Sequence, residues 1–148
     1  MMSWRNAEYE DLGRVDVADA DPSNDCRSML EDTPEVRDFL KQDGRTWEEG
    51  GVVLAVVGVA YKWRGVGEVW TLLSDDAKGR GIALSLGVTR FIAMLHRERG
   101  YCRLQATAEH GDAVAAEWLR RLGFEHEGTM AAYAPNGSTH ELYARVRR

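Results

Sequence analysis

The stretch from Glu68 to Arg99 constrains this chain more than any other. Glu68 to Ser74 reads as a strand. It runs into a basic, glycine-containing turn, Asp75-Asp76-Ala77-Lys78-Gly79-Arg80-Gly81, and then into a long helix. Leu84, Val88, Phe91 and Leu95 give that helix one apolar stripe, and Gly100 stands where a helix-ending glycine belongs. The first-turn amides of such a helix have no intrahelical partner, and the helix dipole adds partial positive charge beside them. Gly79 and Gly81 allow a ligand close to the backbone, and Lys78 and Arg80 add full charges. This chemistry suits a phosphate or pyrophosphate. No Walker loop is present, because no Gly-Lys-Ser/Thr follows four spacer residues. The Gly-x-Gly-x-x-Gly dinucleotide pattern is also absent.

The remaining pattern predicts a mixed α/β sheet domain. Trp4-Arg5-Asn6 reads as a first strand. Glu8 to Gln42 reads as helical pieces, with Leu12, Val15 and Ala18 at helical spacing and a break at Asp21-Pro22-Ser23-Asn24. Met29 and Leu30 suggest a second piece, and Thr33-Pro34 opens a third. Val52 to Tyr61 is apolar without alternation, as in a strand buried on both faces. Arg64-Gly65 marks a turn. Cys102 to Thr107 follows as a strand, Asp112 to Leu122 as a helix, and Phe124–Ala132 with Thr139–Val146 as a closing hairpin.

The 148 residues fit one domain, 1–148. The longest apolar run, Val52 to Ala60, falls short of the roughly 20 residues that span a bilayer, and no secretory leader is recognisable. Cys26 and Cys102 are far apart in no ligand spacing, so a reduced, cytoplasmic chain without a structural metal is expected. The net charge of −5 argues against a dedicated nucleic-acid binder. Charge is uneven: eleven acids against three arginines from Glu8 to Asp38, and eleven bases against seven acids from Lys78 to Arg148. This suits an anionic cofactor at one side and a cationic acceptor at the other.

Lys78-x-x-Gly81-x-Ala83 resembles the Arg/Gln-x-x-Gly-x-Gly/Ala signature of the GNAT N-acyltransferases, with Lys for Arg or Gln. Trp118-Leu119-Arg120-Arg121-Leu122-Gly123-Phe124 looks like that family's second block. Glu127-Gly128 and Glu141-Leu142-Tyr143-Ala144-Arg145 look like its terminal hairpin, and Trp4 to Leu12 like its opening strand and helix. The resemblance implies the GNAT fold, a central mixed sheet of about six to seven strands flanked by helices. It implies acetyl-CoA as cosubstrate, with Leu72, Leu73 and Ser74 along the pantetheine and Lys78, Gly79, Arg80, Gly81, Ile82 and Ala83 around the pyrophosphate. It further implies transfer of an acetyl group to an amine of a cationic acceptor, such as a protein amine or a polyamine-like molecule. No nucleic acid or membrane enters this reading, and a homodimer is compatible with it. Small GNAT-like proteins of short-tailed phages, some of them internal to the virion, share this size and eroded motif. They imply an alternative, a non-catalytic structural or host-directed binding role.

The chain departs from the family pattern at two places. Where members often carry Asn at the start of the second-block helix it has Asp112, which serves as an N-cap or as an acceptor toward the cofactor. Where the family's proton-donating Tyr stands it has Leu119. The base candidates are Glu68, on the same side of its strand as Trp70 and Leu72, and His110, in the loop after the fifth strand. Tyr133 is an acid candidate in the last hairpin. His96 reads as an exposed helix residue. Trp47, Trp63, Trp70 and Trp118 read as core or strand surface, or as an aromatic wall for the acceptor.

Overall fold

The computed structural model describes residues 2–16 and 30–147. A seven-stranded sheet runs in the order β1-β2-β3-β4-β5-β7-β6, built from β1 (Met2–Asn6), β2 (Arg45–Glu49), β3 (Val52–Trp63), β4 (Val66–Leu73), β5 (Arg103–Glu109), β6 (Glu125–Met130) and β7 (His140–Val146). The helices are α1 (Pro34–Asp43), α2 (Asp75–Lys78), α3 (Gly81–Glu98) and α4 (Ala113–Arg121), with a 3-10 turn at Tyr9–Gly13.

Short turns make most pairings antiparallel. β2 reaches β3 through Gly50 and Gly51, both at positive φ, as a tight hairpin requires. Between β4 and β5 the chain crosses over through α2 and α3, so this pair alone in the sheet is parallel. β3 is buried from Val53 to Val59, as expected for a strand covered on both faces. On one face α3 and α4 pack Phe91, Ile92, Leu95 and Leu119 against Trp47, Val57, Val69, Leu104 and Tyr143. On the other, α1 and the 3-10 turn bring Leu12 and Leu40 onto Val53, Val56 and Leu72.

The expected stripe on α3 is buried in full, and Thr33 caps α1 with Pro34 in its first turn. Three local readings change. Leu12 belongs to a 3-10 turn, not an α-helix. The Asp11 carboxylate is claimed by the Glu8 amide, Arg5 and Thr46, and this fixes the segment to β1 and β2. Leu30 lies outside any helix. Ala18, the break at residues 21–24, Cys26 and Met29 lie outside the described residues. The segment at Asp75–Lys78, expected as a turn, is a short helix: Ser74 caps it, and two acids in its first turn suit the helix dipole. No helix among the described residues is long and apolar enough to cross a membrane.

Candidate functional site

β4 and β5 pair only from Val66 to Glu68 against Arg103 to Gln105. Both strands run on, to Leu73 and Glu109, but the ladder stops. Backbone facing an open fork keeps donors and acceptors for a ligand. α3 begins at the open end, just past β4. Side chains cap α1, α2 and α4 (Thr33, Ser74 and Asp112), but α3 starts at Arg80 with no side-chain cap. The amides of Gly81, Ile82 and Ala83 are therefore the orphan donors of an 18-residue helix. A side-chain carbon placed on Gly81 would meet nothing within 4 Å, so space lies in front of these amides.

The backbone as a whole superposes on solved acetyltransferases. The GNAT-family acetyltransferase of Streptococcus pneumoniae superposes with a TM-score of 0.78 at 18% identity, covering 99% of this chain and 100% of the other. Ard1 of Thermoplasma volcanium gives 0.75 at 13% identity, covering 99% and 98%. The ribosomal-protein-alanine N-acetyltransferase of Brucella melitensis gives 0.72 at 20% identity, covering 98% and 99%. The chain has the GNAT acetyltransferase fold. No protein-family model and no curated protein matches its sequence, so the likeness to GNAT proteins lies in the backbone.

The structure sorts the residues expected around the fork. Lys78, at the end of α2, is exposed and makes no ion pair among the described residues. Arg80 is not idle: its guanidinium pairs with Glu49 at the end of β2. Ile82 stands almost fully exposed and Leu86, one turn on, about half exposed, while Ala83 packs inward. Leu72 is buried beneath α1, and Leu73 faces α3. Ser74 is occupied by the fold. Its amide donates to Leu54 O at 2.9 Å and its hydroxyl accepts the Ala77 amide at 3.1 Å. Its amide and its hydroxyl oxygen are thus engaged within the fold, while the hydroxyl proton is still there to donate. Asp112 takes the capping role, accepting the Ala115 amide at 3.0 Å.

Glu68 sits at the throat of the fork, in the last β4–β5 pair. Its carboxylate is 17% exposed and lies 3.0 Å from Lys62 Nζ. His110 lies past the end of β5, far more exposed, with Nδ1 2.8 Å from Glu141 Oε1. Glu141 is the centre of a cluster that sequence reasoning missed. Its second oxygen meets His126 Nε2 at 2.8 Å and accepts the Thr129 hydroxyl at 2.7 Å. These bonds, Thr129 first, then His126 and His110, pull the Glu141 carboxyl down to about 2. His126 and Thr129 are three apart, the wrong spacing for one face of a regular strand, so only the β6–β7 register, with its shift between His126 and Gly128, exposes the cluster.

Leu119 is a core residue, and no donor stands at the position where the resemblance places a Tyr. Tyr133 is half exposed and its ring lies 5.7 Å from that of His140, in the final hairpin. His96, expected on the surface, is buried with Nδ1 2.7 Å from Tyr101 O. It tethers the end of α3 to the start of β5. The tryptophans divide: Trp47 is buried and stacks on Trp4, Trp63 is exposed, and Trp118 donates to Ser85 at 2.9 Å, joining α4 to α3. Trp70 alone of the four lines a cavity.

Proposed function

We propose that this chain is an N-acetyltransferase that moves the acetyl group of acetyl-CoA to an amine. The observation that carries the reading is the coincidence of an open β4–β5 fork with the one uncapped α-helix among those described. The orphan amides of Gly81, Ile82 and Ala83, with Lys78 and an exchangeable Arg80, hold the pyrophosphate. The apolar face of Ile82 and Leu86 lies open beside them for the rest of the nucleotide. The β4 backbone at Leu72 and Leu73 pairs with the pantetheine as a missing strand would.

Bound there, acetyl-CoA supplies a thioester carbonyl whose C–S bond breaks as the acceptor's C–N bond forms. The chain's task is the acceptor's proton. An amine with a pKa of about 10 is protonated at neutral pH, so Glu68 at the throat accepts that proton through a water and passes it to solvent. Lys62 holds the carboxylate in place meanwhile. His110, linked to Glu141, is the second route for the proton. No side chain at position 119 donates to the departing sulfur, which leaves as a thiolate and takes its proton from water. The acidic N-terminal third favours a cationic acceptor, and transfer in the cytoplasm fits this chemistry.

Isothermal titration with acetyl-CoA, followed by thiol release with a panel of amines, tests the reading. Glu68→Gln should lower transfer at pH 7 by about 10²–10⁴-fold with CoA affinity unchanged, and the loss should shrink as pH rises and free amine becomes available. Equal rates for both proteins at pH 7 would remove Glu68 from the reaction.

A further inference from the structure

A cavity of about 340 Å³ lies on the α1 face of the sheet, beside the fork and outside the proposed nucleotide site. Val36, Phe39 and Leu40 of α1 form one wall, and Gly58, Ala60 and Trp70 form the floor. The floor is built in. A side-chain carbon at Gly58 would collide with the Trp70 indole, so glycine there lets the ring lie flat across β3. Ala60 is the β3 partner of Glu68, and Glu68 shares its strand face with Trp70. Glu68 and Trp70 are two residues apart on β4, about 7 Å along the strand, so a molecule seated on Trp70 with its amine toward Glu68 reaches the throat of the fork. Among the described residues the charged ones in the lining are carboxylates, Glu35 and Asp43, and Asp43 is already paired with Arg99 at 2.5 Å. No basic side chain among the described residues lines the cavity.

We infer that this cavity is the acceptor site and takes a small primary amine carrying one aromatic or branched apolar group and no carboxylate. The inference rests on the acetyl-transfer reading for its chemistry and narrows the acceptor class. An apolar chamber of this size holds a ring or branched chain. Leaving a polycation's charges in it would cost heavily. An acceptor carboxylate would face Glu35 with no cation to answer it.

Phenethylamine, L-phenylalanine and spermidine are compared as acceptors by thiol release, and as ligands of the CoA-bound protein by titration calorimetry. Phenethylamine should exceed both others at least tenfold in kcat/KM. Ala60→Phe, which fills the chamber, should raise its KM at least tenfold with CoA affinity unchanged. Phe39→Ala, which enlarges the chamber, should shift preference toward a naphthyl amine. Binding of phenethylamine lost in Ala60→Phe, with no thiol release from any amine, would uphold the cavity and overturn acetyl transfer. Acetylation of spermidine, with phenethylamine neither bound nor acetylated, would overturn the cavity assignment and leave acetyl transfer standing. Absence of both binding and transfer would overturn both.

Discussion

Replacing Glu49 with Gln should tighten CoA binding. Arg80 stands at the start of α3, where a pyrophosphate would sit, but its guanidinium is held by Glu49 on β2. The ligand must compete with that carboxylate. Both side chains are more than a third exposed, 40% and 36%, so the pair is worth about 0.2–1 kcal/mol. Removing the competitor returns that energy to binding, about 1.4–5-fold in Kd. Lys78 pays no such exchange among the described residues. Lys78→Ala should therefore cost the full value of a charge-assisted contact, about 1.5–3 kcal/mol, or about 13–160-fold. Arg80→Ala should cost less than Lys78→Ala by the same 0.2–1 kcal/mol or so. The gain from Glu49→Gln should vanish when Arg80 is already Ala, because the two residues share one interaction. Titration calorimetry with CoA at three salt concentrations measures the wild type, the three single variants and the double variant, and each affinity should fall as salt rises. If Glu49→Gln leaves Kd unchanged while Arg80→Ala matches Lys78→Ala, the competition does not exist. Wild-type protein giving no heat with millimolar CoA would remove the anion site itself.

Two further outcomes concern stability and titration. Asp11 is 2% exposed. Burial pushes its carboxyl up, but Arg5, the Glu8 amide and the Thr46 hydroxyl outweigh this and hold it below the usual 3.8. Asp11→Ala should cost about 1–3 kcal/mol in chemical denaturation, because the Thr46 hydroxyl and the Glu8 amide lose their acceptor while Arg5 keeps Glu48; a cost below about 0.5 kcal/mol would refute that role. A carboxylate with a lowered folded pKa contributes stability above its unfolded pKa and loses it as pH falls through the folded one. The Asp11 contribution should therefore begin to fall below about pH 4 and be gone only once the pH passes below the lowered folded pKa. Glu141 follows the same sign: carbon NMR of its carboxylate should show a midpoint near the value of about 2 rather than the usual 4.5, and Thr129→Val should raise that midpoint. An ordinary midpoint in the intact protein would deny the Glu141 cluster.

Local periodicity and end chemistry determined much of this protein from the sequence alone. The α3 stripe of Leu84, Val88, Phe91 and Leu95 can only face a core, and the run from Val53 to Val59 suits a strand covered on both sides. Thr33-Pro34, Arg64-Gly65 and Gly100 mark ends and turns because those conformations favour few residues. The basic, glycine-containing start of α3 likewise follows from residues close together in the chain. What the tertiary structure decided depends on pairs distant in sequence. The insertion of β7 between β5 and β6 brings Glu141 to His110 and His126. The end of β2 brings Glu49 to Arg80, 31 residues away. Ser74 is drawn into a cap and a bond to Leu54, and Leu119 lies in the core. The cavity over Trp70 exists only where α1 crosses β3 and β4. Its apolar residues carry the same signal in the sequence as any core position, and only the packing leaves them lining a space.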